Sequence, residues 1–476
     1  MKPAAAPRAV SARPVCVDLF GGAGGLSLGF EQAGFDVVAT VEYDPVHAMV
    51  HRYNFPDAEV LCRDVRRLTG REVILAARRG VRRIRRGEAW AGEVAVVVGG
   101  PSCQGFSSGG LRDEEDERNG LLAEFVRLVV EIRPRAFCLE NVPGLLEPRF
   151  NEVRQEALKQ LGNAGYSISG GDRWLNAADF GVPQVRKRVF IVGLLDGLAP
   201  DLPEPDQARP RVTVRQALEG LPVIEEYPTL LLGDQAELSV PDAIRRVQIG
   251  AAYARDLAGL SDGVDLSRPR VWDSAITTCS LRTVHTAEVS ARFAATTQGS
   301  VEPRSRLYRL DPNRQARTLR AGTGRERGSH TSPRPIHPEL PRVITVREAA
   351  RLHGYPDWFR LGSTSWHGHR QIGNSVPPPL ARAVASGLMH ALGARPRRPH
   401  ATVTLGEPQW CRMSPAAAAA ELSAVSLELP AHRVRHERSS HLEDQPPADT
   451  CPKNQWPPSP PPLRPRSPPV ATPRAR

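Results

Sequence analysis

The 476-residue sequence is poor in aromatic residues, at 5%, and short of acid, with 52 Asp and Glu against 63 Lys and Arg. It also lacks long apolar runs. Its start has no stretch of seven or more apolar residues of the secretory kind, and nothing approaches the ~20 apolar residues of a membrane span. A cytoplasmic protein with no membrane partner is expected. The seven cysteines (Cys16, Cys62, Cys103, Cys138, Cys279, Cys411, Cys451) show no CxxC or Cys/His ligand spacing, so neither a metal site nor a disulfide framework is indicated. At least one of them is a candidate reactive thiol. The shortage of acid leaves a formal charge of +11 and an isoelectric point of about 9.7. That excess favours a polyanionic partner such as nucleic acid, although a basic tail alone gives the same balance. Nearly all the cations are arginine, which with abundant Ala and Pro suggests a GC-rich, bacterial coding sequence.

Apolar runs recur as short strands at Val15 to Phe20, Val37 to Val41, Val94 to Val98, Ala136 to Leu139 and Val189 to Val192, separated by helix-length segments such as Leu121 to Ile132 and Glu152 to Leu161. This alternation predicts an open α/β sheet, Rossmann-like, with helices on both faces. After about Leu195 the chain turns polar and irregular, predicting a smaller second domain over residues 195–308. Helical spacing returns at Thr345 to His353 and Pro379 to Leu392, so residues 309–392 are expected to rejoin the first domain, which spans 14–194. Residues 1–13 and 393–476 read as disordered, the latter as a Pro/Arg-rich tail with a weakly stable isolated helix at Ala416 to Leu429 as the alternative for that stretch. The Arg-rich stretch Arg66 to Arg86 reads as a solvated basic helix, with phosphate contacts as the alternative.

Glycines in Gly21-Gly22-Ala23-Gly24-Gly25, directly after a strand, let backbone approach a nucleotide-like ligand. A structural tight turn is the bland alternative. Glu42 follows at about the spacing at which a carboxylate reaches ribose hydroxyls, and Asp64, near the end of a third strand, is placed to meet an adenine amino group. The strand Val94 to Val98 leads into Gly99-Gly100-Pro101-Ser102-Cys103-Gln104, which puts a thiol at the carboxyl edge of the sheet. An isolated cysteine in such a loop is usually inert. Here the next strand delivers Glu140-Asn141-Val142 to the same edge. A thiolate that adds to carbon 6 of a cytosine, beside a protonated carboxyl group on ring nitrogen 3, makes carbon 5 nucleophilic toward a sulfonium methyl donor. Alternation in Gln184-Val185-Arg186-Lys187-Arg188 predicts Arg186 and Arg188 on one side, as a clamp for a base carbonyl or phosphates or as solvated surface.

Taken in order, these segments resemble the cytosine-5 DNA methyltransferase family, of the bacterial restriction-modification type, from about Val15 to Leu388. The resemblance implies S-adenosylmethionine as cofactor, held by Phe20, Gly22, Gly24, Leu26, Glu42, Asp64 and Pro101 and by Asn374, Ser375 and Val376 of a closing motif. It implies Cys103, Glu140, Arg186 and Arg188 as catalytic residues. Residues 195–308 then correspond to a target recognition domain, Thr345 to Leu352 to the helix supporting it, and Ser107 to about Leu122, with Asp116 and Arg118, to a mobile loop. Double-stranded DNA with a flipped-out cytosine is the implied substrate. A companion restriction endonuclease, a monomeric state and association with the nucleoid through DNA are further expectations. Ser102 departs from the second proline that many members carry. A tRNA-methylating relative would be expected to show a Cys-Phe-Thr tripeptide, which is absent, and a catalytically silent relative to lack Cys103 or Glu140. A dehydrogenase would leave Cys103, Glu140 and Arg186 without purpose.

Overall fold

The computed structural model describes residues 13–86, 90–101, 120–206, 208, 210–261, 265–322 and 333–422. The first half alternates as the apolar spacing predicts: β1 (Val15–Leu19), α1 (Gly25–Gln32), β2 (Asp36–Glu42), α2 (Pro45–Asn54), β3 (Glu59–Cys62), α3 (Gly70–Ile84), β4 (Val96–Gly99), α4 (Gly120–Ile132), β5 (Ala136–Asn141) and α5 (Asn151–Asn163). Two strands follow, β6 (Ser167–Asn176) and β7 (Lys187–Leu194). They complete a seven-stranded sheet of order β3-β2-β1-β4-β5-β7-β6. Every pairing is parallel except those of β7, which runs antiparallel to both β5 and β6. The strand order reverses between β1 and β4, the place where open α/β sheets bind ligands at their carboxyl edge.

Both faces of the sheet are covered. Val17, Val38, Val97 and Leu139 pack on one side against Val73 and Val81 of α3, Phe125 and Val129 of α4 and Leu161 of α5. The Arg-rich stretch is therefore amphipathic: its apolar residues enter this core, while Arg79 and Arg83 pair with Glu59 of the neighbouring strand. Thr69 and Glu72 close a reciprocal cap at the start of α3. On the other face Cys16, Val96, Val98 and Phe190 meet Leu26 and Phe30 of α1 together with Leu380, Val384 and Leu388 from near the end of the chain.

The remaining elements are α6 (Val214–Leu218), β8 (Ala236–Glu237), α7 (Val240–Val247), α8 (Ala252–Leu257), β9 (Arg270–Val271), β10 (Ile276–Thr277), α9 (Ala287–Ala295), α10 (Val346–His353), α11 (Ser365–Asn374), α12 (Pro378–Ala391), β11 (Val403–Thr404) and α13 (Pro415–Glu421). Residues 195–308 carry only short elements, as their polar composition predicts, and Val214, Ala217 and Cys279 share a core with Ala349 and Leu352 of α10. α12 rejoins the first domain by close packing on α1, where a Cβ at Gly29 would lie 2.3 Å from that of Ala381.

Two expectations at the chain's ends are corrected. Residues 393–422, expected in a disordered tail, are ordered: β11 pairs with β9, Cys411 is buried, and Arg52 of α2 sits 4.5 Å from the Trp410 ring centroid. These partners are scattered along the chain, so the segment shows no periodic pattern of its own. Residues 423–476 lie outside the described ones. At the other end Arg13 is buried, held by Asp36 at 2.9 Å and by the carbonyl of Phe35.

α10 is buried along its whole length despite being rich in charge, and each ion finds partners. Glu348 accepts both guanidinium nitrogens of Arg342 at 2.7 and 2.9 Å, and Asp357 accepts Arg351 at 2.6 and 2.7 Å. Burial raises both carboxyl groups, but the arginines win and hold each at about 2. Their folded values lie below the unfolded ones near 4, so each contributes stability above that pH and loses it as pH falls toward 2, on the order of 2–3 kcal/mol apiece. Asp357→Asn leaves Arg351 buried without its counter-charge and is expected to cost roughly 3–5 kcal/mol near neutral pH. Denaturant titrations at pH 7 and pH 3 should show the gap between the two proteins closing in acid.

Candidate active site

The loop between β1 and α1 is shaped by backbone that few residues tolerate. Phe20 has φ of 68°, Gly22 of 55° and Gly24 of 104°. A non-glycine residue held at positive φ costs about 1–3 kcal/mol, a strain that active sites and ligand clamps often carry. Beside Gly22 the loop opens: nothing lies within 4 Å of where a Cβ would stand. Glu42, at the end of β2, faces it, with Oε2 accepting Gly22 N–H and Oε1 accepting Asp44 N–H, both at 2.8 Å. Burial raises its carboxyl group. Asp64, just past β3, caps the following turn and pairs with Arg66 at 3.1 Å. Leu26 points into the core, and Pro101 is buried beyond β4.

Under the loop lies a polar chain that sequence reasoning missed. Asp18 is fully buried and accepts the Ser27 hydroxyl at 2.5 Å, and Ser27 also stands 3.0 Å from His51 Nε2. Burial lifts Asp18 to about 7 and lowers His51 to about 3. The spacing of these residues carries no periodic signal, because they meet only when α1 and α2 fold over the end of β1.

The closing motif arrives from the far end of the chain. Ser375 and Val376 stand against Gly25, where a Cβ would come within 2.5 Å of the Val376 carbonyl oxygen and 2.6 Å of the Tyr355 hydroxyl. Asn374 is exposed, and Ser375 Oγ lies 3.0 Å from His353 Nε2. His353 is held neutral by burial and by Arg186 and Arg188, and its Nδ1 accepts from Gln184 Nε2 at 3.0 Å.

At the same edge, one strand over, Glu140 is nine-tenths buried. Its Oε1 accepts Arg188 Nε at 2.7 Å, and Oε2 lies so near Gly100 that a Cβ there would stand 2.6 Å away. Burial outweighs Arg188 and Arg186, leaving the carboxyl group raised. The expected pairing of Arg186 with Arg188 in one clamp is corrected. Arg186 is fully buried and donates to the carbonyls of Leu319, Gly373 and Ser375 at 2.7–2.9 Å. It lies where the chain enters β7, before strand alternation applies. Cys103, Asp116 and Arg118 lie outside the described residues. The five described cysteines are all buried, and burial pushes Cys62 up to about 12 and raises Cys16 and Cys138 well above the ordinary thiol value.

A glycine loop and an acidic residue beside the switch point, with a buried carboxyl group at the next strand end, suit a nucleotide-like cofactor held at the carboxyl edge of the sheet. A model of the C-5 cytosine-specific DNA methylases matches residues 15–390. The chain belongs to this family. It is similar to the type II methyltransferase M.XorII of Xanthomonas oryzae pv. oryzae, 45% identical over 427 residues that cover 89% of this chain and 95% of that protein. Similarity extends to the type II methyltransferase M.AgeI of Thalassovita gelatinovora, at 30% identity over 446 residues, 79% of this chain and 99% of that one. Among solved structures, a prophage-encoded DNA modification methyltransferase of E. coli superposes with a TM-score of 0.63 at 33% identity, over 80% of this chain and 99% of that one. The protein is thus a DNA (cytosine-5) methyltransferase with the α/β fold of S-adenosylmethionine-dependent enzymes. Among the described residues, no helix is long and apolar enough to cross a membrane.

The fit between the glycine loop and the closing motif leaves no room for a methyl group at Gly25. Gly25→Ala is expected to cost roughly 1–3 kcal/mol by overpacking. Part of that loss should appear as weaker cofactor binding. Calorimetric titration with S-adenosylhomocysteine, alongside thermal unfolding, measures both effects.

Proposed function

We propose that this DNA methyltransferase works through a covalent adduct of Cys103 with carbon 6 of a cytosine turned out of the duplex, with Glu140 as its acid. The observation that carries the reading is the Glu140 carboxyl group, raised by burial, paired with Arg188 and lying against the loop that leads to Cys103. A stacked base hides its reacting carbons, so the cytosine must leave the helix. As the Cys103 thiolate bonds to carbon 6, negative charge develops toward ring nitrogen 3, where a protonated Glu140 neutralises it. Carbon 5 is then nucleophilic. Once it is methylated, loss of its proton lets the carbon–sulfur bond break and returns the thiolate. Arg188 acts as a positioning residue for Glu140, and Arg186 holds the closing motif rather than the base.

The residues fit S-adenosylmethionine. Gly22 opens onto free space, Glu42 is oriented by two backbone donors, and Ser375 and Val376 form a wall beside Gly25. When bound, the cofactor supplies an electrophilic methyl group on a sulfonium. Glu42 would take its ribose hydroxyls, Asp64 its adenine amino group, Phe20, Gly22, Gly24 and Pro101 its nucleoside surroundings, and Asn374 to Val376 its methionine end, whereas Leu26, turned into the core, supports the loop from beneath.

Residues 195–308 are assigned to reading the target sequence in double-stranded DNA, since the residues of the flanking motifs are engaged at the site. A companion endonuclease is the pairing suggested by the type II names of the relatives. A monomer in the cytoplasm, gathered to the nucleoid by its DNA, completes the reading.

Expression in a host without other cytosine methyltransferases, followed by bisulfite sequencing, should reveal 5-methylcytosine at one sequence. No protected cytosine would sink the assignment. Glu140→Gln keeps hydrogen bonding but has no proton to give. Single-turnover methyl transfer should slow ~100 to 10,000-fold while cofactor affinity stays within about threefold. A parallel fall in cofactor affinity, with turnover of the loaded enzyme unchanged, would place Glu140 in the other pocket.

A further inference from the structure

The edge of the sheet opposite the active site bears a groove of about 1100 Å³ lined by eight arginines and two aspartates. Its floor is set by Arg13, just before β1, and Asp36, the first residue of β2. Phe20 and Glu42 stand at the other ends of these strands. The five residues of β1 thus separate groove from site by roughly 17 Å.

Charge in the groove is unbalanced from the floor outward. Asp36 is 3% exposed and takes three guanidinium groups, Arg13 at 2.9 Å, Arg85 at 3.2 Å and Arg268 at 3.4 Å. One carboxylate cannot neutralise three arginines. Above them Arg86, Arg395, Arg397 and Arg398 are exposed, and none makes an ion pair with a described residue. Concave surface lined by one sign of charge focuses the field and concentrates counter-ions of the other sign.

The two ends of the chain carry no acidic excess that could supply that anion. Residues 1–12 carry Lys2 and Arg8 with no acid, and residues 423–476 hold eight Lys and Arg against five Asp and Glu. Both have the same sign as the groove. The wall formed by residues 395–404 also lies beyond the family match, which ends at residue 390.

We propose that this groove binds the phosphodiester backbone of a second nucleic-acid segment while the substrate duplex occupies the active site. Guanidinium groups pair with phosphate oxygens through two parallel hydrogen bonds, and an exposed row of them reads backbone rather than sequence. A straight duplex lying along the carboxyl edge does not reach the amino edge, so the occupant is a distinct segment or a returning flank. Successive phosphates of a polymer, rather than a single free phosphate anion, suit a surface on which four exposed arginines stand together.

The test uses the full chain and a triple variant, R395A/R397A/R398A, whose changed side chains are exposed. Sedimentation with a short random-sequence duplex at low salt should show two duplexes per wild-type protein and one per variant. The affinity of the second duplex should fall at least tenfold in the variant. Its salt slope should also fall by about 2 to 3, the value for three lost phosphate contacts. Methylation of a short duplex should be unchanged. The proposal is overturned if the wild type binds one duplex, or if the variant binds the second as tightly and with the same slope. It is equally overturned if tripolyphosphate displaces the second duplex at matched phosphate concentration, which would mark a site for small anions. Binding is read without turnover, so these outcomes stand apart from the covalent mechanism.

Discussion

The guanidinium of Arg186 is fully buried, and its Nη1 and Nη2 groups donate to the backbone carbonyls of Leu319, Gly373 and Ser375. A buried charge is tolerable only when its hydrogen bonds are made, and here they are made to segments more than 130 residues away in sequence. The consequence is architectural. Ser375 and Val376 can stand against Gly25 only if the end of α11 is fixed, and Arg186 fixes it from the start of β7. Gln184, two residues earlier, adds a second tie through Leu319 N–H, the Leu352 carbonyl and His353. The closing motif and the start of β7 therefore share one buried polar network.

The reversal of β7 does the rest. In a fully parallel sheet each strand begins at the edge away from the ligand. Because β7 runs antiparallel to β5, its first residues emerge at the carboxyl edge, and Val189 pairs with Asn141. Arg188 is thereby placed beside Glu140, holding its orientation while burial favours its protonated form. The raised carboxyl group is a product of strand direction as much as of residue type.

Much of this was legible in the sequence because short apolar strands and glycine turns leave local signals. The positions of β1, β2, β4, β5 and β7, the carboxylate at Glu42 and the convergence of Glu140 with the loop after β4 all follow from such signals. What failed depended on distant partners. β6, with Gly170 and Gly171 at positive φ and a shift in its pairing to β7, has no clean alternation. Arg186 and Arg188 looked equivalent, since nothing in Gln-x-Arg-x-Arg says that carbonyls from residues 319–375 will surround the first. Residues 393–422 looked unstructured because their apolar side chains fill gaps made by α2 and β9 rather than building a face of their own. The polar chain Asp18, Ser27 and His51 was invisible for the same reason.

The claim on which the chemistry turns is that Cys103 bonds to the base. Duplex DNA with 5-fluorocytosine at the target position blocks the last step, because fluorine cannot leave carbon 5 as a cation while the thioether is in place. Proteolysis and mass spectrometry of the enzyme incubated with this duplex and S-adenosylmethionine should find the nucleotide attached at Cys103. Cys103→Ser should form no adduct, since a serine hydroxyl stays protonated near neutral pH where a thiol supplies thiolate. An enzyme that methylates ordinary cytosine yet forms no adduct, or forms one at another cysteine, would contradict the account.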